Sequence, residues 1–289
     1  MHTYVHRAVT ALLVLLALPA AGQDALTRGD AAYARRAEGA RGAVAAAQPI
    51  AQAVAAYREA VAADPQALEP RWKLLRALYF KGEYATAKGD RRSLFEGAKE
   101  LAEESLDLLA ERVGDRLSGE TAPAIVLQEL CRVLFREEGF RGNADAYYDP
   151  RNSFLNDVLD RRLGIPITLG IVVLEVGRRA GLPLSGINFP GHFLVRYDGE
   201  VARLLVDPFD GGRVRWEDEG QELLDRVYGG MVRMRDEFLR PASRADILAR
   251  VLTNLKGIYL NARDDARALA VDLDGPSLVA TLHLEPVIS

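Results

Sequence analysis

The stretch DPRNSFLNDVLDRRLGIPITLGIVVLEVGRRAGLPLSGINFPGHFLVRYDGEVARLLVDPFDGG, residues 149–212, sets the architecture of the chain. Pro166 sits where the first turn of a helix tolerates proline, and Thr168 can cap the amides that follow. The run Ile171, Val172, Val173, Leu174 and Val176 is apolar on most faces, so the spacing predicts a buried helix over 167–180. Arg178 and Arg179 fall in its last turn, where cations suit the helix dipole. Gly181 is placed to stop it and Pro183 to prevent continuation. Residues 184–189 then read as a short strand and His192–Tyr197 as a second one. Asp198-Gly199 gives a hairpin signal, and Arg203–Asp207 is the returning strand.

The hairpin brings two chemically significant residues together. With a loop over Asp198–Val201, Tyr197 pairs with Ala202 and His192 lies opposite Asp207; a shift by two residues keeps both on the same face, because side chains alternate with period two. A carboxylate on one ring nitrogen fixes the imidazole tautomer and raises the basicity of the other nitrogen. A bland alternative is a His–Asp pair that only stiffens the sheet. The glycine before His192, the facing Asp207 and the nearby start of a buried helix favour a site, active or vestigial.

Five segments, FREEGFRGN, YYDPRNSFLNDVLDRRLGIPI, LEVGRRAGLPL, PGHFLVRY and LVDPFDGG, together resemble the SirB-type branch of the transglutaminase-like superfamily over about residues 124–265. The resemblance implies a papain-like α+β core in which a cysteine begins the central helix and His and Asp come from adjacent strands. Carried over by position, His192 is the family's histidine and Asp207 its aspartate. The nucleophilic cysteine would fall near Pro166–Thr168, where this chain has none.

Thr168 is the nearest hydroxyl, but a threonine at a helix start is first of all a cap, and its hydroxyl needs strong activation to attack. The single cysteine, Cys131, precedes His192 and Asp207 in the chain, yet shares a helical face with Leu127, Leu130 and Leu134, a core position.

The 289 residues carry a net charge of −4, which gives no electrostatic case for nucleic acid or an anionic membrane surface. One cysteine rules out an internal disulfide framework. Residues 1–22 read as a secretory signal: Arg7, the apolar run Ala8–Leu18, too short to span a bilayer, and small residues before Gln23. The mature chain is therefore expected to be secreted or periplasmic, with no membrane association after cleavage; the alternative is an uncleaved membrane anchor. His2 and His6 leave with that leader, and His192 and His283 cannot build a histidine-rich metal site, so neither metal nor cofactor is expected.

Residues 23–121 read as all helix. Ala53, Tyr57, Ala60 and Pro65, then Trp72, Leu75 and Tyr79, fall near the spacing of tetratricopeptide repeats, in degenerate form. Such a front is either a docking groove for a protein or peptide or a helical cap on the adjoining domain; residues 114–121 are its linker. Residues 122–270 form the transglutaminase-like domain, with Asn152 and Asn156 in the resembling motif as caps and turn supports. Gly275-Pro276 interrupts the tail, 271–289.

The expected architecture is α+β, a papain/transglutaminase-like core behind an all-α front. Two functions fit it. One is a non-catalytic protein-binding or scaffolding module that has lost the thiol. The other is an amide-bond hydrolase or acyltransferase using His192 and Asp207 with Thr168 or an activated water. The missing cysteine weights the first.

Overall fold

Pro166 fixes φ for a helical first turn and needs no N–H there, and the helix it opens, α7, runs Pro166–Arg179. Nine of its residues are buried, among them Ile167, Thr168, Val172, Val173 and Val176, so it is the axis on which the rest packs. At its end Gly181 takes a positive φ of 76°, and the Leu182 amide donates back to Gly177 O at 2.9 Å, closing a Schellman turn. The computed structural model describes residues 20–38, 47–199 and 203–272. The expected leader lies outside them up to residue 19, as does the tail from 273; residues 20–22 are the first turn of helix α1.

The chain divides into two units, Met1–Pro70 and Arg71–Ser289. The division falls in the first turn of an α-helix. In the first unit, α1 (Ala20–Ala34) packs on α2 (Ala47–Ala63). Tyr57 is fully buried against Gly29, and its hydroxyl donates to Asp30 Oδ1 at 2.8 Å. A side chain at Gly29 would occupy the space of that ring.

The second unit holds the α+β core. Its helices are α3 (Leu68–Glu83, from Arg71 on), α4 (Lys88–Leu117), α5 (Pro123–Cys131), α6 (Leu155–Arg161), α7, α8 (Gly220–Tyr228) and α9 (Arg244–Asn261). The last turn below α5, Arg132–Glu137, opens into a π-helix. Two-residue strands β1 (Arg141–Gly142) and β2 (Leu163–Gly164) pair in parallel. The main sheet is an antiparallel meander, β3 (Leu184–Ile187), β4 (Leu194–Asp198), β5 (Arg203–Asp207) and β6 (Arg213–Trp216), in that spatial order. Leu194, Leu205 and Ile187 face Leu223 and Leu224 of α8, while Phe193 turns towards α7, lying 2.5 Å from where a Cβ on Gly170 would stand. Among the described residues no helix is long and apolar enough to cross a membrane.

Candidate functional site

Phe189-Pro190-Gly191-His192 carries proline at the second position of a β-turn and glycine at the third, the type II signature. The structure closes that turn: the His192 amide donates to Phe189 O at 3.0 Å, and Gly191 has φ +69°. The strand expected from His192 therefore starts only at Leu194, and the β4–β5 pairing sets Asp198 against Arg203 and Val195 against Val206, two residues off the expected register. His192 is the last residue of a turn at the sheet's end, and the ring reaches Asp207 from there. Nε2 of His192 and Oδ1 of Asp207 are 2.7 Å apart, with the histidine side chain 15% exposed and the aspartate side chain 3%.

Asp207 Oδ1 also accepts from the amides of Phe209 and Asp210, each at 3.2 Å. Burial alone would push this carboxyl up; the hydrogen bond and charge of His192, the Asp210 amide and nearby Arg215 outweigh it and hold the group below its usual value. An ionised carboxylate only accepts, so Nε2 carries the proton towards it, and in the neutral ring Nδ1 keeps a free lone pair. Because the folded value is lowered, this stabilisation is fully present above the unfolded value of ~3.9 and is lost as pH falls through the folded one. Asp207→Asn is expected to cost about 1–3 kcal/mol at pH 7, the difference narrowing as pH falls below the ordinary carboxylate value of ~3.9. Urea unfolding of both proteins across that range measures it; a pH-independent difference contradicts the assignment.

Thr168 caps the Ile165 amide that precedes it, in place of the following amides expected from sequence. It is fully buried, its Oγ1 accepts from the Ile165 amide at 3.1 Å, and its hydroxyl proton faces Asn152 O at 2.8 Å and Ile165 O at 3.2 Å. The threonine thus ties the first turn of α7 to the 3₁₀ turn Pro150–Ser153. Its hydroxyl bonds to backbone, not to His192. Thr168→Val keeps the shape but strands the Ile165 amide and the Asn152 carbonyl, and is expected to lower folding stability by about 1–3 kcal/mol in urea titrations.

Asn152, also fully buried, organises this region. Its Nδ2 donates to Ala146 O (2.7 Å) and Tyr147 O (3.1 Å), and its Oδ1 accepts from Asn143 Nδ2 and Arg161 Nη2, both at 2.9 Å. The asparagine expected as a turn support is the hub joining β1, the Tyr147-Tyr148 loop, α6 and the start of α7.

Cys131 ends α5 as a buried residue, and burial pushes its thiol up to about 12. Its Cβ lies 2.9 Å from where a Cβ on Gly212 would stand, so it packs under the turn that begins at Asp207. At pH 8 such a group is protonated and enclosed. A thiol-specific disulfide reagent is expected to react with native protein only at the rate of local opening, and at the free-thiol rate in denaturant; immediate native labelling would contradict this placement.

An aromatic run flanks the imidazole. The Phe209 ring stands edge-on to His192 (6.4 Å, 84°) and to Tyr147 (5.8 Å, 78°), and Tyr147 meets Tyr148 at 5.3 Å. Tyr148 is 65% exposed, so the run leads from His192 to solvent. Gly142 holds Phe209 in place: a Cβ there would come within 2.6 Å of the ring and 2.8 Å of the Phe209 carbonyl. Arg215 is buried on β6 beside this turn, its Nη2 donating to Asp210 Oδ2 at 2.9 Å. The sequence assigns Arg215 no role; the nearby Asp210 in the tight loop is the one local signal of its partner. Among the described residues no three His, Cys, Asp or Glu side chains converge as a metal site would require.

Comparison with known proteins returns a family model described as transglutaminase-like superfamily, matching residues 100–253. A UPF0162 protein of Xylella fastidiosa is 47% identical over 140 residues, covering 47% of this chain and 50% of that protein. A UPF0162 protein of Pseudomonas aeruginosa is 33% identical over 206 residues, 71% of this chain and 72% of the other. F-box only protein 21 of Mus musculus is 40% identical over 85 residues, 29% of this chain and 14% of that protein. The chain thus spans about half the length of the Xylella relative. No solved structure matches.

Proposed function

The chain belongs to the transglutaminase-like superfamily, and on that basis we propose that it is a non-catalytic protein-binding module built on a transglutaminase-type domain. One observation carries the reading. At the start of α7, where a nucleophile would stand, the only hydroxyl is that of Thr168, fully buried and bonded to Asn152 O and Ile165 O. The remaining thiol, Cys131, is enclosed and protonated. On this reading the His192–Asp207 pair anchors the end of the sheet, and the helices within residues 23–121, read as degenerate tetratricopeptide repeats, receive a protein or peptide. The leader-like residues 1–22 send the mature chain to the periplasm or outside the cell.

A second reading has its own support. Nε2 of His192 is engaged by Asp207 at 2.7 Å, which leaves Nδ1 as a base able to activate water for amide hydrolysis. Incubation of the pure protein with peptide and acyl-amide substrates separates the two. The expected result is no release of amine or ammonia above a His192→Ala control. Turnover lost in that control overturns the binding-module reading.

A further inference from the structure

α3, α4 and α6 enclose an apolar groove of about 500 Å³. Leu75 and Tyr79 of α3, Phe95 and Ala102 of α4, and Leu155 and Leu159 of α6 line it, with Lys99 on the same face of α4. Leu155, a large apolar side chain, remains 40% exposed at its edge. Lys99 keeps 76% of its side chain in solvent.

The course of the chain points to what covers it. After α9, residues 265–272 form a helix whose Ala268 and Val271 pack on Leu255, Tyr259 and Phe154, and Asp272 pairs with Lys256 at 2.7 Å. Phe154 directly precedes Leu155 of the groove wall. Tyr79, another wall residue, has its hydroxyl pushed up chiefly by burial and also by the nearby Glu83, Asp157 and Tyr259, which places α9 beside the groove. The chain therefore leaves Asp272 next to the groove.

The segment beyond Asp272 has the composition to fill it. Residues 273–289 contain the pair Gly275-Pro276 and then Leu278, Val279, Leu282, Leu284, Val287 and Ile288, with no lysine or arginine. Leu278 and Leu282 share a face in a helix or a strand alike. Even extended, ten residues of that segment reach roughly 33 Å, whereas the α4 wall from Phe95 to Leu106 is only about 17 Å long. We propose that residues 277–288 of this chain dock in the α3/α4/α6 groove, seating Leu278 and Leu282 between Tyr79, Phe95 and Leu155. A tethered occupant has an effective concentration on the order of millimolar, so a second copy competes poorly with it. This inference is independent of whether His192 is catalytic.

The test uses the full chain. Lys99→Cys and Arg92→Cys, both exposed positions on α4, are each combined with Leu282→Cys, and intrachain disulfide formation is followed with diamide as oxidant. The Lys99 pair is expected to close about tenfold faster than the Arg92 pair. Equal rates, or a disulfide that joins two chains, overturn the proposal. As a second measurement, Leu278→Asp is expected to raise binding of an apolar fluorescent dye several-fold without changing far-UV circular dichroism; unchanged dye binding also overturns it.

Discussion

Asn152→Ala is expected to remove about 3–5 kcal/mol of folding stability. The residue is fully buried, and all four of its side-chain hydrogen-bonding positions are used. Alanine abandons two carbonyls, one amide donor and one guanidinium N–H, each of which costs about 1–3 kcal/mol when stranded, with partial relaxation reducing the sum. The effect spreads because the partners belong to different elements: Asn143 lies just past β1, Ala146 and Tyr147 lie in the loop, and Arg161 ends α6. Arg161 also pairs with Asp149 at 3.5 Å, so its charge is not left wholly unmatched. Urea unfolding monitored by circular dichroism measures the loss, and a change under about 1 kcal/mol would show that the network is not the hub described.

Gly212→Ala is expected to be nearly as damaging, at roughly 3–4 kcal/mol, from two separable causes. Gly212 has φ +74°, a conformation costing an L side chain about 1–2 kcal/mol. Its missing side chain is also the space filled by the Phe135 ring and the Cys131 Cβ, the latter 2.9 Å away. The Cys131 Cβ is buried and fixed by the helix backbone, so that contact is not relieved by rotation, and the half-buried Phe135 ring has to swing aside. The Gly212 amide donates to Asp207 O at 3.0 Å, so a displaced turn loosens the carboxylate that holds His192. Thermal unfolding reads the stability cost, and the NMR signal of His192 Nε2–H, lost or broadened in the variant, reads the second. A Tm within about 2 °C of wild type would refute the crowding argument.

Much of this was legible in the chain. Pro166, the apolar run and Gly181 define α7 to within a residue, and the alternation around Asp198-Gly199 gives β4, β5 and the His192–Asp207 pairing. The register was missed because period-two alternation is blind to a shift of two; the Pro190-Gly191 turn that takes His192 off the strand was the available signal. Asn152 could be assigned to turn support but not to a hub, because its partners come from separate segments whose convergence is tertiary. Tyr147 and Phe209 were likewise unreadable together: sixty-two positions separate them, and the close approach of Gly142 that positions Phe209 leaves no mark on local periodicity.

The wide turn at Arg132–Glu137 bears on how chains of this kind can change length. There the Glu138 amide reaches back to Val133 O at 2.9 Å, a five-residue span holding one residue more than an α-helical turn. That extra residue sets the phase at which the chain leaves the helix, sending Phe140 into the core and laying Arg141 against Arg162 O at 2.9 Å. Deleting it would let the helix continue in regular pitch and swing everything downstream by about 100°. Gly142 would then face away from Phe209, and the aromatic edge beside His192 would lose its backing. An insertion or deletion between Cys131 and Asn143 would therefore displace the edge of the site, and that spacing acts as a fixed ruler between the buried helix and the site.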